Sequence, residues 1–119
     1  MKRTTLILLF LCSAMFSIGQ TKDNPVKQQP DPAKKLEIVE AACGQCKFGL
    51  KGKGCDLAIR INSKAYFVDG TNIDSHGDAH DEHGFCNAIR KATVQGELKR
   101  DRFVVSYFKL MPGTEKTKK

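Results

Sequence analysis

Only the middle of this chain can build a hydrophobic core. Residues 20–35 hold three of the four prolines among amide and charged side chains, and residues 112–119 are a polar, lysine-rich run. Neither end carries enough apolar surface to offset the entropy lost on ordering it. The expected organisation is therefore a flexible leader over 20–35, one small domain over 36–111 and a disordered tail over 112–119. A domain of this size buries a modest core, so any cross-link or bound ion weighs heavily in its stability.

What precedes the leader reads as an export signal. Met1, Lys2 and Arg3 form a short basic start, and residues 4–18 follow without a charge. Ser17 and Gly19 place small residues three and one positions before a break ahead of Gln20, the layout of a signal peptide spanning residues 1–19. The uncharged run is about 15 residues, short of the roughly 20 that a spanning helix requires. No transmembrane helix is expected after cleavage, and the destination is the periplasm or the exterior. Removing the signal takes away Cys12, Lys2 and Arg3. The net charge then falls from +7 to +5, and the five cysteines become four: Cys43, Cys46, Cys55 and Cys86.

Within the domain, short alternating segments dominate. Residues 36–40 read as a strand. Leu57, Ile59 and Ile61 alternate with Ala58 and Arg60, and residues 65–68 follow across Asn62 and Ser63 as the second arm of a hairpin. Phe85, Ala88, Ile89 and Ala92 fall at helical spacing, which predicts a short amphipathic helix over 82–91. Residues 93–98 and 102–110 form a second hairpin around Lys99, Arg100 and Asp101, its last arm rich in β-branched and aromatic residues. Five strands with a helix between the third and fourth give a mainly β fold, a small five-stranded OB-like barrel. A small open α+β sheet is the alternative.

All four remaining cysteines and all three histidines fall within the 44 residues from Cys43 to Cys86. Cys43 and Cys46 form a C-x-x-C pair, whose thiolates can meet one tetrahedral ion if the chain turns tightly and its amides point at the sulfurs. The usual second C-x-x-C is missing; Cys55 and Cys86 would have to complete the set. His76 and His80, among Asp74, Asp78, Asp81 and Glu82, offer imidazole ligands instead, and Cys86 would sit near the predicted helix start. Two arrangements follow: a closed site of four cysteines, or a mixed site of two or three cysteines with His76 or His80. Zinc is the expected ion and copper the alternative. Four cysteines in a small exported domain also make two disulfides, with three pairings open and no cofactor at all. His83 shares the acidic segment, where all three histidines could simply be solvated.

Other chemistry finds less support. Asn72, Asp74, His76 and Gly77 mimic the start of a calcium loop, but His83 stands where a bidentate glutamate belongs. No G-x-S-x-G is present, and no serine carries a contextual sign of activation, so no catalytic residue is assigned and an enzyme is not expected. The cations are scattered or terminal rather than interleaved with aromatics, which argues against nucleic acid. A metal ion or a cell-envelope protein is the expected partner.

The stretches CGQCKFGLKGKGCDLAIRINSKAYFVDG and HGDAHDEHGFCNAIRKATVQGELKRDRFVVSYFKL resemble a family of small exported bacterial proteins of unknown function. Members of that family sometimes carry the label glutaminyl-tRNA synthetase. A domain of about 75 residues cannot house an aminoacylation site, and no nucleotide-binding signature is present, so the label is set aside. The resemblance implies no activity.

Overall fold

A computed structural model describes residues 26–27 and 29–113; the expected signal peptide, the first part of the leader and most of the tail lie outside these residues. The elements in chain order are β1 (Glu37–Cys43), α1 (Gly44–Lys47), β2 (Leu57–Ile61), β3 (Lys64–Asp69), β4 (Arg90–Lys99) and β5 (Arg102–Leu110). The strands close into a barrel in the order β1-β2-β3-β5-β4, so the OB-like expectation holds and the open sheet does not.

Local chemistry sets the two hairpins. Asn62 and Ser63 both adopt positive φ (48° and 70°), and so do Arg100 and Asp101 (51° and 63°). Two consecutive left-handed residues match the right-handed twist of the flanking strands. The barrel then closes through two long-range seams. β1 pairs β4 antiparallel, with Val39 opposite Ala92, and β3 pairs β5 in parallel at Val68 and Phe103. Inside, Val39, Ala41 and Cys43 of β1 meet Leu57, Ile59, Val68, Val94, Phe103, Val105 and Phe108.

The helix expected over 82–91 does not form. Arg90 and Lys91 belong to β4, and the residues before them make turns. Their backbone groups are committed elsewhere: Cys86 N–H donates to Ala79 O (2.9 Å), and Phe85 O accepts from Cys43 N–H (2.9 Å). Only one turn remains, where Asn87 and Ala88 N–H both donate to Gly84 O. The apolar spacing that looked helical buries Phe85 in the barrel and Ala92 in β4, while Ile89 stays exposed. Ile73, Ala79 and Phe85, all from the stretch between β3 and β4, plug the barrel, the work a helix would otherwise do. Burying a side chain the size of Phe85 contributes about 1.5–3 kcal/mol. The short helix of this fold lies instead at Gly44–Lys47.

Part of the expected leader is held to the barrel. Gln95, 2% exposed, is the buried polar residue of the core region. It sits at a register shift between β4 and β5. Its Oε1 accepts from Asp31 N–H (2.7 Å), and its Nε2 donates to Asp31 O (2.8 Å) and Lys34 O (2.9 Å). Lys27 N–H adds a bond to Ser106 O, and Val26 packs on the core. Gln95→Ala should cost about 2 kcal/mol in urea denaturation, from three lost bonds and a small void. It should also make residues 27–35 the first site of limited proteolysis. Among the described residues no helix is long and apolar enough to cross a membrane.

Candidate metal centre

Four sulfurs meet at one end of the barrel. Cys43 is the last residue of β1 and also caps α1; its side chain is fully buried and accepts from Cys46 N–H at 3.4 Å. Cys46 rides on α1, Cys55 ends the loop that returns to β2, and Cys86 comes from the segment between β3 and β4. Cys86 Sγ lies 3.3 Å from Cys55 Sγ, and Cys46 Sγ lies 3.9 Å from it. All four sulfurs fall within 4.8 Å of one another. A tetrahedron with metal–sulfur bonds of 2.3 Å has edges of about 3.8 Å, so the spacing suits one ion.

Small residues make this approach possible. Ala42 pairs with Ala58 across β1 and β2, and both are fully buried. Neither belongs to the barrel interior cluster; they face outward beneath α1. Gly44 follows, where an added Cβ would stand 2.7 Å from the Phe67 ring and 3.0 Å from Ala58 and Leu50. This closeness lets α1 sit flat on the sheet and turn Cys46 back toward Cys43. Gln45 locks the turn to the far side of the loop: its Oε1 accepts from Asp56 N–H (3.0 Å), and its Nε2 donates to Asp56 Oδ2 (2.7 Å). Gly44 N–H donates to Asp56 O (2.8 Å).

Electrostatics divide the four thiols. Burial opposes ionisation of Cys43, but hydrogen bonds to its sulfur from Cys46 N–H, the Cys46 and Cys55 thiols and the Gln45 backbone N–H outweigh it, and its pKa lies below 9.0. Cys46 is pushed up to about 11 by its hydrogen bond to Cys43, then by Cys55. Cys55 rises to about 11 through Cys86 first and Cys43 second, and Cys86 is raised mainly by burial. Ionisation is thus favoured at Cys43 and opposed at its three neighbours, as expected when like charges would share a small site. A cation placed among them would reverse that balance for all four.

The histidines are placed elsewhere. His76 shares a hydrogen bond with Thr71 Oγ1 through Nε2 (2.9 Å) and packs on Phe108 with ring centroids 4.4 Å apart. His80 is exposed, with Nδ1 3.9 Å from Asp78 Oδ1, and His83 is exposed as well. None of the three joins the sulfur group among the described residues. Burial lowers the His76 pKa below 6.5. Protonation is then easier in the unfolded chain than in the folded one, so stability should fall as pH drops below about 6.5. His76→Phe keeps the aromatic contact and removes the proton site. The urea midpoint should drop less between pH 7.5 and pH 5 in this variant than in the parent.

Sequence spacing picked out all four cysteines but not their supports. Gln45, Asp56 and the Ala42–Ala58 pair shape the site. The only sequence sign of them was the concentration of small residues between Ala41 and Ala58.

A closed five-stranded barrel with four cysteine sulfurs gathered at one end defines the class. The chain belongs to the family of unknown function DUF6370, which it matches over residues 37–111, well over half its length. No curated protein and no solved structure matches it.

Proposed function

We propose that this protein is an exported binding module that holds one transition-metal ion, zinc, through Cys43, Cys46, Cys55 and Cys86. The convergence of four sulfurs from three separate segments within 4.8 Å carries the reading. Soft thiolates in a closed tetrahedral set suit zinc or copper(I) better than harder ions, and filled coordination suits binding rather than catalysis. The backbone donors at Cys43 add the support found in knuckle-type sites.

Protein purified under reducing conditions should contain about one equivalent of zinc by elemental analysis, and a chelator should remove it. Less than a tenth of an equivalent, with no uptake on titration, would sink the reading. Export is part of the proposal and rests on residues 1–19. Protein recovered from outside the cytoplasm should have the mass of a chain starting at Gln20; an intact Met1 there would count against it.

A second reading has its own observation. Cys55 and Cys86 stand only 3.3 Å apart, close enough for a disulfide after a small shift. In that case the protein is a disulfide-stapled interaction domain of the envelope. Alkylation without reduction separates the two, since four modified cysteines exclude stable disulfides.

A further inference from the structure

The four sulfurs are not equally reachable. Cys43 is fully buried beneath the barrel end, Cys55 and Cys86 are partly covered, and Cys46 is exposed on α1. Its neighbour toward solvent is Cys55, 3.9 Å away. The chain joining them, residues 47–54, contains Gly49, Gly52 and Gly54. Even a Cβ built on Gly49 or Gly54 would meet nothing within 4 Å. Gly52 lies against the Gln45 side chain, but around Gly49 and Gly54 the loop packs on nothing, and the 3.9 Å between Cys46 and Cys55 needs only a local shift to reach an S–S bond of about 2.05 Å. Lys47, Lys51 and Lys53 are exposed on it, so cations flank the open edge of the sulfur group.

We propose that Cys46 is a site of oxidative modification by hydroperoxides, with Cys55 as its resolving partner. The metal-holding state and a Cys46–Cys55 disulfide, a different pair from the Cys55–Cys86 staple considered above, are then two states of one site. The inference rests on the metal reading above. In the ion-bound site, where the cation holds all four sulfurs as thiolates, the exposed Cys46 sulfur attacks the outer oxygen of the hydroperoxide; the O–O bond breaks, sulfur loses two electrons, and an alcohol or water departs. The Cys55 sulfur then displaces the oxygen of the sulfenic acid, forming the S–S bond and releasing water. In total, two thiols and one hydroperoxide give one disulfide, one alcohol or water, and one further water. Where the sulfurs start as bound thiolates, two protons come from solvent. Two of four ligands are lost, and the ion leaves. Access selects Cys46 as the first sulfur attacked, and position selects Cys55 as its partner, although Cys86 lies nearer to Cys55.

The test uses the mature protein loaded with one equivalent of zinc and treated with hydrogen peroxide. Zinc release is followed with a chromogenic chelator, free thiols are counted, and disulfides are mapped by mass spectrometry. The expected result is one zinc released and two thiols lost per peroxide consumed, with peptides containing Cys46 and Cys55 joined. Cys43 should remain alkylatable after unfolding. Cys46→Ser should slow peroxide-driven thiol loss at least tenfold, a rate readable whether or not that variant keeps the ion. A first disulfide between any other pair overturns the proposal. So does oxidation of Cys43 before Cys46, or an unchanged rate in the variant. Reduced protein that takes up no zinc defeats the metal reading instead, and disulfide mapping on that ion-free protein still decides which pair forms first.

Discussion

Cys43→Ser should abolish tight zinc binding and lower the melting temperature by on the order of 20 °C. Cys43 is both a proposed ligand and a core residue, with its side chain fully buried. Serine in its place removes one of four sulfurs and leaves a buried hydroxyl beside Cys46 N–H, Gln45 Oε1 and the three remaining sulfurs. With free zinc a thousandfold above its dissociation constant, loss of the ion alone costs about 4 kcal/mol. In a domain this small each kcal/mol shifts the midpoint by about 4–8 °C. Differential scanning fluorimetry with and without chelator separates the parts. The parent should show the large chelator-dependent drop, and the variant almost none. A variant that still binds one equivalent of zinc at parent affinity would remove Cys43 from the ligand set.

Gly84→Ala should be strongly destabilising, costing about 3 kcal/mol or more. An added Cβ there would collide with the carbonyl oxygens of Asp78 and Ala79 and with the Ala79 carbonyl carbon. Those are backbone atoms, so no rotamer change relieves the clash. Ala79 O is the acceptor for Cys86 N–H, and Phe85 O is the acceptor for Cys43 N–H. Moving Gly84 thus displaces Cys86 and loosens the end of β1 together. Zinc affinity should fall at least tenfold along with the urea midpoint. Unaltered affinity would mean that the position of Cys86 does not govern binding.

These predictions turn on contacts that local patterns could not reveal. The hairpins were legible because Asn62–Ser63 and the polar turn after Lys99 punctuate alternating strands. Residues 82–91 were misread because Phe85, Ala88, Ile89 and Ala92 fit a period near 3.6, while their burial comes from a plug and a strand edge. Periodicity reports which side chains are apolar, not which backbone partners their amides will find. The short helix at Gly44–Lys47 was missed for the opposite reason: four residues are too few to show any period. Its formation depends on Cys43 as cap and on the shallow Ala42–Ala58 surface beneath it.

The candidate site divides in the same way. Spacing within the chain singled out Cys43, Cys46, Cys55 and Cys86, since a thiol is recognisable wherever it falls. Whether histidines would stand beside them was open, because His76 and His80 lie only a few residues from Cys86. Folding separated them. His76 found Thr71 and Phe108, His80 turned to solvent, and Cys86 was drawn to Cys55 by the Gly84 turn. Ligand type, strand alternation and the hairpin turns are local properties written residue by residue. Barrel closure and the choice among seven candidate ligands depend on pairings across tens of residues, from β1 to β4 and from Cys43 to Phe85. Those pairings exist only when the whole core is packed.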